Sequence, residues 1–421
     1  MTSKSDPSST WAERVIADTY RQDWGRLLSL LVARTRRLDL AEDALSEAFA
    51  RASDRWAATA VPANPAGWLY TTAWRVIVGR QRAEAVHQRN VPLLAIDEDF
   101  VQPERLGGID DLADERLAVV LLCCHPAVHP DARTALALRL VIGTSTEEIA
   151  RLFLVPRATM AARITRAKKK IVTAGIPLSS PVDEELRSRL NDVCRTFYLA
   201  FTAGYAPSQG SDVLRLDLSG EAVELAAILH HLVPDGSQVQ ALYGLLLIQH
   251  SRRDARVQGD RLVALPEQDR SLWHHDEMRA GVQLVTDLAS GEGYAEELRL
   301  QGLIAAEHAR ATTSADTDWS AISTLYAHLE KLTGSPVIRL NRAVAVAESE
   351  GPLAGLALLR ELDETMPANH RLHAVRAELA RRAGDTSLAR TSYTTALRLC
   401  TNEAEQDYLA QQLDALDSPS A

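Results

Sequence analysis

The chain has 421 residues, a formal net charge of −10, 5% aromatic residues and four cysteines. That length exceeds a single core and calls for roughly two to four domains. Four cysteines at this length make no disulfide framework, and no apolar run approaches the ~20 residues that cross a bilayer. The start, Met1 to Thr10, is polar and lacks the apolar core of a signal peptide. These features exclude secreted disulfide scaffolds and membrane spans, and the expected setting is a reducing cytoplasm.

The net charge hides a split. Residues 1–182 carry 24 Lys+Arg against 21 Asp+Glu, whereas residues 183–421 carry 22 against 35. A mildly basic front and an acidic back suggest nucleic acid as a partner of the first part only. Ala, Leu, Arg and Glu dominate throughout, apolar residues recur at spacings of three and four, and alternating strand patterns are nearly absent. The fold class expected is all-α.

In chain order, the first clear element is a helix beginning at Asp39. Leu45, Ala48, Phe49, Ala52 and Trp56 fall on its apolar side, and Glu42, Asp43 and Glu47 face outward. A tryptophan-rich segment follows from Pro65 through Trp68 and Trp74 to Arg75, with Arg80 and Arg82 beyond it. Between Gln88 and Asp111 the chain contains Pro92, Pro103, Gly107 and Gly108 and reads as a linker.

Cys123-Cys124-His125 with His129 offers soft metal donors. Adjacent helical residues point about 100° apart, however, and no second Cys/His cluster follows. Buried thiols are the expected use, with no metal.

The strongest local signal spans residues 144–171. Ser145 followed by Glu148 is a capping box opening a short helix with Ile149, Ala150, Leu152 and Phe153 apolar. Val155-Pro156 stops that helix, and the same proline can begin the next. The second helix, about Arg157 to Val172, puts Met160, Ile164, Ala167 and Ile171 on one face. Arg157, Thr159, Arg163, Arg166, Lys168, Lys169 and Lys170 occupy the remainder. No acid occurs between Glu148 and Asp183. Two helices, a tight turn and a basic second helix are the layout of a helix-turn-helix. Arginines early in that helix can reach base edges, and the later lysines can meet phosphates.

The charge balance flips at Gly175-Ile176-Pro177-Leu178-Ser179-Ser180-Pro181, and further helices follow. An offset of about 34 residues, the tetratricopeptide period, sets Ala343 on Ala377, Gly355 on Ala389, Leu359 on Tyr393 and Leu362 on Ala396. The chain has no Walker loop, dinucleotide turn, G-x-S-x-G or H-E-x-x-H. No catalytic constellation is visible, and neither enzymatic activity nor a cofactor is expected.

Taken together, Leu117–Pro181 resembles region 4 of the extracytoplasmic-function sigma factors of RNA polymerase. The resemblance rests on Cys123-Cys124-His125-Pro126, Ala135-Leu136-Ala137-Leu138-Arg139, Glu148-Ile149-Ala150, Phe153-Leu154-Val155-Pro156, Arg166-Ala167-Lys168 and Ala174-Gly175-Ile176-Pro177. Leu154 replaces the glycine common at such turns, which is usual in one subgroup. The resemblance implies binding to the −35 promoter element and the β-subunit flap.

Upstream, residues 11–86 look like sigma region 2. That likeness implies docking of Asp39, Glu42, Asp43 and Glu47 on the β′ clamp, and capture of melted −10 bases by Trp74, Arg75, Arg80 and Arg82. The sequence departs from the family at Arg75, where Asn is usual, and at Gly79, where Asp is usual.

Glu267–Trp273, Thr317-Asp318-Trp319, Leu325-Tyr326 and Leu340–Ala345 resemble the long extension of a sigma subgroup with tetratricopeptide repeats. Phe201–Tyr205 is a degraded match.

The organisation this implies is region 2 at 11–87, a linker at 88–112, region 4 at 113–175 and a helical extension at 183–415 with repeats near 336–400. The partners implied are core RNA polymerase, promoter DNA and a protein partner of the extension, with no membrane and localisation in the cytoplasm or on the nucleoid. The rival reading is a stand-alone helix-turn-helix regulator with a helical sensor domain.

Overall fold

A computed structural model describes residues 7–87, 109–153, 155–176, 183–205, 216–258, 261–400 and 403–417. Among these the chain forms eighteen α-helices, a few 3-10 turns and one two-stranded ribbon. The all-α expectation holds. The chain divides into two compact units, Met1–Gly204 with Asp217–Val233, and Tyr205–Leu216 with Pro234–Ala421.

In the first unit, α1 (Pro7–Thr35), α2 (Leu38–Ala58) and α3 (Pro65–His87) pack on one another. The apolar side expected of α2 is the buried one, with Leu45, Ala48, Phe49, Ala52 and Trp56 all inside. Trp56 meets Trp68 edge to face, with ring centroids 5.4 Å apart. Most of the stretch read as a linker, residues 88–108, lies outside the described residues.

Helices α4 (Ile109–Cys123), α5 (Pro130–Leu140), α6 (Thr146–Leu152) and α7 (Arg157–Thr173) follow. Helix α1 crosses α4 and α5 closely because Gly25 has no side chain: a Cβ there would lie 1.6 Å from the Val141 carbonyl oxygen. Trp24 closes the same seam, stacked with Tyr20 (4.7 Å) and Phe49 (5.8 Å) on one side and met by the Arg139 guanidinium (5.9 Å) on the other.

The first two helices of the stretch read as the extension, α8 (Asp183–Tyr205) and α9 (Leu216–Leu232), pack into this first unit. Arg189 donates to the Leu121 carbonyl (3.1 Å), Arg133 pairs with Asp192 (2.7 Å), and Arg116 pairs with Glu221.

The second unit runs from α10 (Ser237–His250) through the ribbon β1 (Val257–Gln258) and β2 (Arg261–Leu262) to α11 (His275–Thr286), α12 (Gly293–Arg310) and α13 (Trp319–Thr333). Helices α10 and α11 meet backbone to backbone: a Cβ on Gly281 would sit 2.7 Å from the Gly244 oxygen, and one on Gly244 2.9 Å from the Gly281 oxygen.

Helices α14 (Pro336–Glu350), α15 (Pro352–Leu359), α16 (His370–Arg382), α17 (Thr386–Leu399) and α18 (Glu403–Asp417) complete the unit. The starts of α14 and α16 are 34 residues apart, as are those of α15 and α17. Ala343, Leu359, Ala377, Ala389, Tyr393 and Ala396, aligned in the sequence by this offset, are all buried. A Cβ on Gly355 would lie 2.6 Å from the Ala343 oxygen, so its lack of a side chain sets the spacing of the first hairpin. The single-residue link before α15, Gly351, has φ +100°, a conformation that favours glycine.

Candidate nucleic-acid interface

Helices α6 and α7 form the bihelical unit that the sequence pattern calls for. The Ser145 backbone N–H donates to Glu148 Oε2 (2.9 Å), and the Ser145 hydroxyl accepts from the Glu148 N–H (3.2 Å), a complete capping box. The chain then turns, with the Val155 N–H donating to the Ala150 carbonyl (2.9 Å), and Pro156 at φ −59° precedes α7. Leu154, the residue at the turn, lies outside the described residues.

Helix α7 buries Met160, Ile164, Ala167 and Ile171, the face expected of it, against α5 and α6. Arg157, Thr159, Arg166, Lys169 and Lys170 are exposed, and Arg163 and Lys168 are half-buried. No acid lies on this helix, so the charge on its outward surface is all positive.

The structure treats Lys168 differently from its neighbours. It reaches across to Glu42 of α2 and forms an ion pair in which the lysine is 28% and the glutamate 16% exposed. Glu42, expected from the sequence to face outward, is therefore largely covered. A contact between residues 126 positions apart leaves no local trace.

Asp39, Asp43 and Glu47 of α2 are also engaged. Asp39 pairs with Arg37 (3.1 Å). Glu47 pairs with Arg51 (2.5 Å) and with Arg80 (2.9 Å), while Asp43 lies 3.4 Å from Arg80. On α3, Arg75 and Arg82 are exposed. Trp74 is half-buried with the Arg34 guanidinium 4.3 Å above its ring, an arrangement that lends a cation to an aromatic face.

Cys123 and Cys124 are fully buried, and burial pushes the Cys124 thiol up to about 12. His129 instead caps α5, accepting from the Asp131 N–H (3.3 Å), with its side chain largely in solvent. These residues do not converge. A different trio does: His370 Nε2 lies 2.8 Å from Glu405 Oε2, with the Cys400 thiol 3.7 Å from the same oxygen. Its members come from the start of α16, the end of α17 and from α18, which is why no sequence motif announces them.

Comparison with known proteins agrees with this geometry. The family model for sigma-70 region 4 matches residues 118–171, which span the end of α4, all of α5 and α6 and almost all of α7. A family of unknown function, DUF6596, matches residues 189–289. A Rhizobium meliloti (strain 1021) protein described only as uncharacterized is 36% identical over 415 residues, covering 98% of this chain and 97% of its own. No solved structure matches.

The capped helix-turn-helix with its basic second helix is a sigma-70 region 4 domain, a unit of sigma-factor-like DNA binding in transcription. The chain belongs to the same family as the full-length Rhizobium meliloti protein. Among the described residues no helix is long and apolar enough to cross a membrane.

Proposed function

We propose that this chain is an extracytoplasmic-function sigma factor that binds core RNA polymerase and directs promoter-specific initiation, with its C-terminal helical part regulating that activity. The observation that carries the reading is α7: seven polar or basic side chains around a helix whose opposite face alone is buried. Arg157, Thr159 and Arg163, in its first two turns, address −35 base edges. Arg166 and Lys168, Lys169 and Lys170 hold the backbone. Trp74, Arg75, Arg80 and Arg82 receive melted −10 bases, and Asp39, Glu42, Asp43 and Glu47 meet the β′ clamp. Polymer chemistry belongs to the polymerase, and this chain supplies specificity.

In this reading the ion pairs of Lys168 with Glu42 and of Arg80 with Asp43 and Glu47 are exchanged during assembly. Each joins a cation assigned to promoter DNA with an acid assigned to polymerase. The 34-residue repeat of helical hairpins supports a tetratricopeptide-like extension, an architecture suited to holding a partner protein.

The test is a pull-down of the full chain with core RNA polymerase, followed by run-off transcription from the bound fraction. Discrete new transcripts are expected. Promoter DNA binding with no affinity for core polymerase would overturn the sigma assignment and leave a stand-alone regulator.

A further inference from the structure

Three sequence segments singled out above, around Arg270, Thr317-Asp318-Trp319 and Leu340-Asn341-Arg342, are separated by tens of residues and are not accounted for by DNA binding. Within the second unit they meet around one cavity of ≈ 340 Å³, which also takes in His308 and Tyr326. That volume is at the small end of the range, roughly 300–1,000 Å³, that holds small organic ligands.

Arg270 defines its chemistry. Nη1 donates to the carbonyls of His308 (3.0 Å) and Ala311 (2.5 Å), and the guanidinium lies 4.5 Å above the Trp273 ring. Those contacts fix its plane. Its Nε and Nη2 donate to nothing among the described residues, and it pairs with no carboxylate there, although this edge is the one that receives a carboxylate through two parallel bonds. No acid lines the cavity.

The neighbouring cavity makes the contrast. It is lined by Arg339 and Arg342, and both are already neutralised by Glu330, at 2.5 and 3.0 Å.

The remaining walls provide for a body attached to such an anion. Trp319 and Tyr326 offer aromatic faces, and Leu265, Pro266 and Val344 an apolar one. Thr317 is only 8% exposed, yet its hydroxyl makes no hydrogen bond among the described residues. The Asn341 amide is equally without a partner there.

We propose that this cavity binds a carboxylate borne on a small aromatic or apolar body, with Arg270 clamping the anion and Thr317 and Asn341 supplying the remaining hydrogen bonds. The site stands independently of the sigma reading. Two sources present this chemistry, a free organic acid and the C-terminal residue of a peptide, and the experiment separates them.

The test is calorimetric titration of the full chain with phenylacetate, phenylacetamide, and Gly-Gly-Phe in its free-acid and amidated forms. Phenylacetate is expected to saturate one site and to bind at least about tenfold tighter than its amide. Asn341→Asp puts a like charge into the cavity at an exposed position, and it should weaken phenylacetate by a similar factor while leaving the melting temperature unchanged. Arg270→Lys, which keeps the charge but loses the planar fork, should also weaken it.

Tighter binding of free-acid Gly-Gly-Phe than of phenylacetate identifies a peptide terminus as the source, and the reverse order identifies a free acid. No saturation by either acid up to about 10 mM, equal affinity for the amides, or indifference to Asn341→Asp would overturn the proposal.

Discussion

His308 has its ring 5.3 Å from Trp319, and burial together with the nearby Arg252 and Arg270 charges pushes its pKa down to about 4. An unfolded histidine titrates near 6.5. Between these values the unfolded chain binds the extra proton, so stability is complete above about pH 6.5 and falls as the pH drops toward 4. At ~1.36 kcal/mol per unit the ceiling is roughly 3 kcal/mol. Replacing His308 with Phe preserves a ring and removes the proton site, and it should flatten the decline in melting temperature between pH 6.5 and 4. A variant whose decline matches the parent's would show that His308 does not carry the effect.

Residues such as Ser145 and Glu148 were legible in the sequence because a capping box closes over three positions. Glu42 was not, since the same carboxylate reads as solvated on α2 until Lys168 arrives from α7.

Helical faces carry the strongest signal in this sequence. Helix α7 begins at the expected residue and buries the expected four side chains, since a 3.6-residue period specifies a face without reference to any neighbour. The functional division proposed for it is one of position along the helix. Arg157→Ala should cost ~1–3 kcal/mol on a cognate −35 sequence and little on unrelated DNA. Lys169→Ala should weaken both alike and lower the slope of log affinity against log salt by about 0.9. Binding titrations at several salt concentrations separate the two behaviours, and identical profiles for both variants would refute the division.

The crossing of α10 and α11 was not legible. Gly244 and Gly281 sit in helices where glycine is ordinarily unfavourable, and the reason is each one's backbone contact with the other. Gly281→Ala should destabilise the chain by ~1–3 kcal/mol in urea unfolding despite its better helix propensity.

At the scale of the whole chain, the sequence placed a boundary near residue 182, where proline and glycine cluster and the charge balance turns over. The compact units part elsewhere, because α8 and α9 are tied back by Arg189 to Leu121, Arg133 to Asp192 and Arg116 to Glu221. Each tie spans more than fifty residues, beyond the reach of composition or period. A test of the extension's regulatory role should therefore compare the full chain with residues 1–233, which keep those ties, and not with residues 1–182. Equal promoter-directed transcription by the two would remove the extension from control.

The close approach at Gly25 bears on how often the chain is ready to act. If helices α1 and α2 must part from α5 and α7 before polymerase and promoter can be engaged, only the parted fraction is competent, and the observed affinity is the intrinsic one scaled by that fraction. Gly25→Ala would place a methyl group where the Val141 carbonyl now lies, raising the free energy of the docked arrangement alone. The expected variant melts at a lower temperature yet binds core polymerase more tightly, the opposite of what a simple packing defect does. Weaker binding in step with lower stability would mean that the docked arrangement is itself the working one.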